Sequence, residues 1–131
     1  EMLEEVRFLL NFKMDSYNPL SLILVGQSEL KDILKKQIYE AICQRIDIRY
    51  HMTPYDRERT GEYIKKHLEY AGEGREIFAD MALNEIYEYS HGIPRKINRV
   101  CTACLLHGAQ VQKKIIDDHV VRLIIEEEFN W

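Results

Sequence analysis

The chain has 131 residues, 46% of them hydrophobic and 31% charged, with 6 Gly and 3 Pro. That balance excludes long disorder, collagen and a cysteine-stapled scaffold, and the length allows one domain or two small ones. Lys plus Arg number 18 against 22 Asp plus Glu, a net charge of −4, and neither 1–52 nor 53–131 is basic, so non-specific coating of a polyanion gains no support.

Glu1-Met2-Leu3-Glu4-Glu5 is acidic where a secretory leader would be basic. It reads as the middle of a helix, so the chain is expected to begin inside a longer protein. Residues 1–15 are predicted as an amphipathic helix with Leu3, Val6, Leu10 and Met14 on one stripe. A loop at 15–19 ends at Pro19. Leu20 to Val25 is a continuous apolar run closed by Gly26, the pattern of a strand buried on both faces. Such a run is far short of the ~18–20 residues that span a bilayer. Ser28 is placed to cap the next helix, where Leu30, Ile33, Leu34, Ile38, Ala41 and Ile42 keep helical spacing to about Arg45. Residues 46–52 alternate with the period of a strand.

Past Thr53-Pro54 only helices are predicted. The first covers 56–71, with Thr60, Tyr63, Ile64, His67, Leu68 and Ala71 at helical spacing, and ends at Gly72 and Gly74. Asp80 is placed to cap the second, with Leu83, Ile86 and Tyr87 inward and Gly92 at its end. Pro94 opens the third at the position where a missing N–H costs nothing, and Ile97, Val100, Cys101, Cys104 and Leu105 face its core. Asp117 caps the fourth, with Val120, Val121, Ile124 and Ile125 inside. The predicted class is therefore an α/β piece over 1–52, with two short strands, followed by an all-α four-helix bundle over 53–131.

Three places at element ends could carry chemistry. Gln27 follows a buried strand, where open α/β sheets bind ligands, and could position a water or contact a phosphate; the alternative is a turn residue. Arg45 closes a helix before the second strand. It could stabilise phosphoryl charge in a neighbouring subunit, with Arg49 competing for that role; the alternative is a cation at a helix C-terminus. Arg95 lies in the first turn after Gly92-Ile93-Pro94, where a cation opposes the helix dipole and a bound anion would reverse the penalty. Arg99 sits one turn on. The alternative there is a solvated basic face.

Cys101 and Cys104 resemble half a metal motif. They fall on the apolar stripe, however, and adding His107 does not make the ligands converge, so they are read as core. Three cysteines without framework spacing suit a reducing cytoplasm. No nucleophilic triad, no GxxxxGK[ST] loop and no apolar run ending in an Asp-Glu pair occurs in the sequence.

Together these places resemble the second half of an AAA+ ATPase module. Leu22-Ile23-Leu24-Val25-Gly26-Gln27-Ser28-Glu29-Leu30 is similar to the sensor-1 strand and its turn. Gln44-Arg45-Ile46-Asp47-Ile48 is similar to the arginine-finger segment. Gly92-Ile93-Pro94-Arg95-Lys96-Ile97-Asn98 is similar to the sensor-2 motif of the helical lid. The subgroup with the best likeness is that of general-secretion-pathway protein A ATPases, together with the ATP-binding helpers of DNA transposases.

The resemblance implies that 1–52 is the C-terminal part of an AAA+ core and 53–131 its lid. It implies sensor 1 at Gln27, a finger acting in trans at Arg45, and sensor 2 at Arg95 with Arg99 as a minor addition. The Walker segments that hold ATP and magnesium would precede residue 1. The present stretch is thus expected to hold no cofactor tightly and to be inactive alone, with a gap between its two strands. The longer protein would act as a homo-oligomeric ring or filament on a secretion-machinery protein, or on a transposase and DNA. For DNA, Lys96, Arg99, Lys113 and Lys114 offer the one cluster. A secretion role would add a transmembrane helix and a periplasmic part. The ending Glu126-Glu127-Glu128-Phe129-Asn130-Trp131 leans toward the transposition helper. A non-enzymatic helical interaction module, with Arg95 purely structural, is the alternative from another class.

Overall fold

The computed structural model describes residues 21–129. The helix predicted at 1–15, the loop at 15–19, Leu20, Asn130 and Trp131 lie outside the described residues. The chain divides into two units, Glu1–His51 and Met52–Trp131.

In the first unit the described elements are helix α1 (Glu29–Leu34), a 3-10 turn (Gln37–Tyr39) and the one-turn helix α2 (Glu40–Cys43). The long helix predicted to Arg45 is interrupted at Lys36, whose ψ of 139° is extended. Ser28 does not cap α1. It lies in the right-handed helical region and makes no capping bond, whereas a capping side chain needs an extended backbone to aim its oxygen back at the first amides. Ile42 is buried, and the α2 carbonyl of Cys43 accepts from the Arg49 guanidinium at 3.0 Å.

Neither predicted strand is formed over its described residues, 21–25 and 46–52. Among the described residues there is no strand and no sheet. Val25 and Ile48 are each 87% exposed. Apolar runs and alternation assign faces to a strand, but its N–H and C=O groups also need a ladder partner. No described segment pairs with either stretch. The expected α/β class is therefore replaced by a helical one.

Among the described residues the second unit holds four helices: α3 (Arg57–Tyr70), α4 (Asp80–Ser90), α5 (Pro94–Gln110) and α6 (Asp118–Glu128). Asp56 caps α3, accepting the Arg59 amide at 2.8 Å. Gly72, at φ 87°, ends it: the Glu73 amide reaches back to the Leu68 carbonyl at 2.9 Å and the Gly72 amide to the Glu69 carbonyl at 3.0 Å, the paired closure that a left-handed residue makes possible. The same closure ends α5. There Gln112 takes φ 55° and the Lys113 amide donates to the Gly108 carbonyl at 2.8 Å. Pro94 occupies the first turn of α5, and Asp117 caps α6 by accepting the Val120 amide at 3.1 Å.

Asp80 is the first helical residue of α4, one place beyond the cap position predicted for it; Ala79 stands there instead. The cause is a parallel bridge between Phe78 and Ile116. The Ile116 amide donates to the Ile77 carbonyl at 2.7 Å, and the Ala79 amide donates to the Ile116 carbonyl at 2.9 Å. Ala79 is thereby held extended, and the helix starts after it. α4 packs most extensively on α6, and next on α5. Ala82, Ile86, Ile97, Val100, Cys104, Ile116 and Val121 form the innermost core. Cys101 and Leu105 pack against its margin. Among the described residues no buried side-chain nitrogen or oxygen lacks a partner, as a well-formed interior requires.

Candidate functional site

The α4–α5 corner is fixed by backbone geometry. After Ser90 the chain turns through His91 at φ 50° and Gly92 at φ 71°. The His91 amide donates to the Tyr87 carbonyl at 2.8 Å. Ser90 is fully buried; its hydroxyl oxygen accepts the Gly92 amide at 3.2 Å and its proton is directed to the Tyr87 carbonyl at 3.5 Å. The Ile93 amide donates to the Ser90 carbonyl at 3.1 Å, and the Ile93 carbonyl accepts the Lys96 and Ile97 amides at 2.9 and 3.0 Å.

Gly92 meets the chain far upstream. The Tyr55 amide donates to the Gly92 carbonyl at 2.9 Å, and a Cβ on Gly92 would lie 1.8 Å from the Tyr55 carbonyl oxygen. Only glycine fits, both for its left-handed φ and for this close approach. Local spacing marks Gly92 as a helix end; the role of Tyr55 has no local signal, because its partner is distant in sequence.

Arg95 stands on this corner. It is exposed, in a first turn that carries no acidic residue. Every other described arginine has a partner. Arg57 donates to Asn84, Arg75 pairs with Glu73, and Arg59 lies 3.8 Å from Asp56. Arg122 pairs with Asp118 and Glu85, Arg49 reaches Cys43, and Arg45 is also engaged. Among the described arginines, Arg95 alone has a side chain that makes no hydrogen bond, ion pair or ring contact. An unpaired guanidinium in the first turn of a helix, on the positive end of its dipole, suits an anion.

Arg99, one turn along α5, is placed differently. Its guanidinium lies 4.6 Å from the centre of the Phe129 ring. Lys96 lies 5.6 Å from the Tyr89 ring, and the two rings are 5.8 Å apart. Both cations thus rest on an aromatic pair made by Tyr89 of α4 and Phe129 at the end of α6. Lys113 pairs with Asp117 at 2.6 Å. A groove of about 700 Å³ runs between α5 and α6, with Arg99, Thr102, Leu106, His107 and Glu127 among its lining residues.

Gln27 and Arg45 belong to the first unit. Gln27 is exposed before α1, and its carbonyl accepts the Leu30 amide at 3.0 Å. Arg45 is exposed after α2, and its amide donates to the Ile42 carbonyl at 3.1 Å. Arg49 holds the position at the α2 C-terminus where a cation is favoured. The structure brings Arg95 and Arg99 onto one helix.

Burial pushes the Cys101 thiol up to about 12, with the neighbouring Cys104 adding to the effect. Burial pushes Cys104 up to about 12 as well, with Glu128 adding. Both therefore stay protonated, as core residues. No group of three His, Cys, Asp or Glu able to hold a metal ion occurs among the described residues. The donor set at the corner fits one phosphate contact and does not fit magnesium. No described helix is long and apolar enough to cross a membrane.

No family model matches the chain, and no solved structure matches it significantly. It is 35% identical over 105 residues to General secretion pathway protein A of Aeromonas hydrophila. The match covers 80% of this chain and 19% of that protein, so the chain is similar, over most of its own length, to a small part of a much longer relative.

Proposed function

We propose that the chain is the sensor and lid portion of an AAA+-type ATPase acting in general secretion. The observation that carries the proposal is Arg95, the one described arginine without a partner, standing on a rigid corner at a helix N-terminus. A cation kept there costs the helix a little, and a phosphate oxygen would offset that cost. The likeness to General secretion pathway protein A supports the secretion role over the transposition one.

In this reading Arg95 engages a phosphate oxygen and couples nucleotide state to the helical unit, with Arg99 nearby. Gln27 orients the attacking water, and Arg45 reaches the nucleotide of an adjacent copy in a ring or filament. Magnesium-bound ATP supplies the phosphoryl group when it is present. Its holding is assigned to segments outside this stretch, because no GxxxxGK[ST] loop occurs in the sequence. The partners are further copies of the same protein and a component of the secretion machinery.

The test is ATP turnover by the longer protein. Arg95→Ala is expected to lower it by about 10–100-fold, the loss of one charge-assisted contact. Unchanged turnover would sink the proposal and favour a helical interaction module. That second reading draws on the groove between α5 and α6, where Leu106 is exposed. Calorimetric titration of the 131-residue chain with ATP and magnesium is the companion measurement. Saturable binding lost in Arg95→Ala would mean that the lid alone forms a nucleotide site.

A further inference from the structure

We infer that Tyr55 and Gly92 are positioning residues for Arg95, so that the segment by which the chain enters the helical unit sets the direction in which α5 begins. The functional weight of this inference rests on the reading of Arg95 as a phosphate sensor. The contact itself does not.

Met52, Thr53 and Pro54 are neither helix nor strand. The first backbone bond after the unit boundary is the one from the Tyr55 amide to the Gly92 carbonyl. The next residue, Asp56, already caps α3. The Tyr55 ring is held as well, 5.3 Å from the Tyr63 ring on α3, which in turn lies 4.4 Å from His67. Tyr55 is thus gripped between α3 on one side and the α4–α5 corner on the other.

From Gly92 to Arg95 there is little freedom. Ile93 has both its amide and its carbonyl bonded. Pro94 has φ fixed by its ring. With Tyr55 packed into the space a Cβ would fill, a displacement of Tyr55 cannot be absorbed by a side chain. It passes through Gly92 and two constrained residues to the first turn of α5. The positioning is mechanical: it uses the backbone and needs no ligand.

Amide hydrogen exchange on the 131-residue chain tests this without nucleotide. Gly92→Ala combines a left-handed backbone with a clash and is expected to unfold the corner outright, so the informative variants lie at Tyr55. Tyr55→Phe keeps the ring and the N–H and should leave every rate unchanged. Tyr55→Ala keeps the N–H alone and should leave Lys96 and Ile97 protected. Tyr55→Pro removes the donor and should speed exchange at Lys96 and Ile97 by about tenfold or more, while Val121 and Ile124 in α6 keep their rates, a local opening rather than a global one.

Equal acceleration throughout α5 and α6 would mean that Tyr55 serves stability alone. Unchanged rates at Lys96 and Ile97 would mean that the contact does not set the start of α5. Either result overturns the inference. In the longer protein, Tyr55→Pro should lower ATP turnover, and Arg95→Ala added to it should lower it no further. If Arg95→Ala alone is silent while the exchange pattern holds, the phosphate-sensing reading fails and the mechanical link stands.

Discussion

Lys113 and Asp117 face each other across the turn between α5 and α6. The Lys113 Nζ lies 2.6 Å from Asp117 Oδ2, while Oδ1 of the same carboxylate accepts the Val120 amide at 3.1 Å. One side chain therefore starts α6 and ties it to the end of α5. The hydrogen bond from Lys113, and next the Val120 amide, hold the Asp117 carboxyl below its ordinary value. A folded-state value below the unfolded one stabilises above the ordinary carboxylate range, and that stability is lost as pH falls through the lowered value. Thermal melts from pH 7 into the acid range should show Asp117→Ala melting lower at neutral pH, with the gap from the parent closing as acid is added. A gap that stays constant would mean that the charge on Asp117 contributes nothing.

Gln112 carries a side chain at a left-handed position, φ 55°, in the closure that ends α5. It is exposed and replaceable. Gln112→Gly removes the Cβ penalty and is expected to stabilise the chain by about 1 kcal/mol, read as a higher urea midpoint with an unchanged slope. Gln112→Val should move the midpoint the other way.

Arg95→Glu separates stability from function. An acid in the first turn of α5 favours the helix dipole, and no acid is there now. The chain should become about 0.3–1 kcal/mol more stable, whereas the proposed phosphate-sensing role requires ATP turnover to fall. A variant that is less stable than the parent would reveal a stabilising role for Arg95 itself.

Two helix starts that depend on neighbours in sequence were legible, whereas Ser28, also a local reading, does not cap α1. Asp117 caps because its own side chain reaches an amide three residues on, and Pro94 opens α5 because its missing N–H is not needed there. Asp80 shows the limit: its chemistry suits a cap, but the distant Ile116 holds Ala79 extended and moves the start by one residue. The strand at 46–52 failed for a related reason. Alternation in Ile46, Ile48, Tyr50 and Met52 describes faces, and cannot say whether a second strand lies alongside. At the candidate site Arg95 was legible from Gly92-Ile93-Pro94, which places it in a first turn. Tyr55 was not, since a backbone amide donating to Gly92 leaves no trace in residue type.

The bridge of Phe78 to Ile116 has a kinetic consequence. It closes a loop that contains both α4 and α5. Helical turns form from near neighbours, whereas this closure loses chain entropy before it gains any contact. It therefore belongs to the final docking of α6, after the barrier to folding has been crossed. Ile116→Val should accordingly speed unfolding while leaving the folding rate nearly untouched, the two arms being separable by stopped-flow in urea. A slowed folding arm would place this clasp in the nucleus instead.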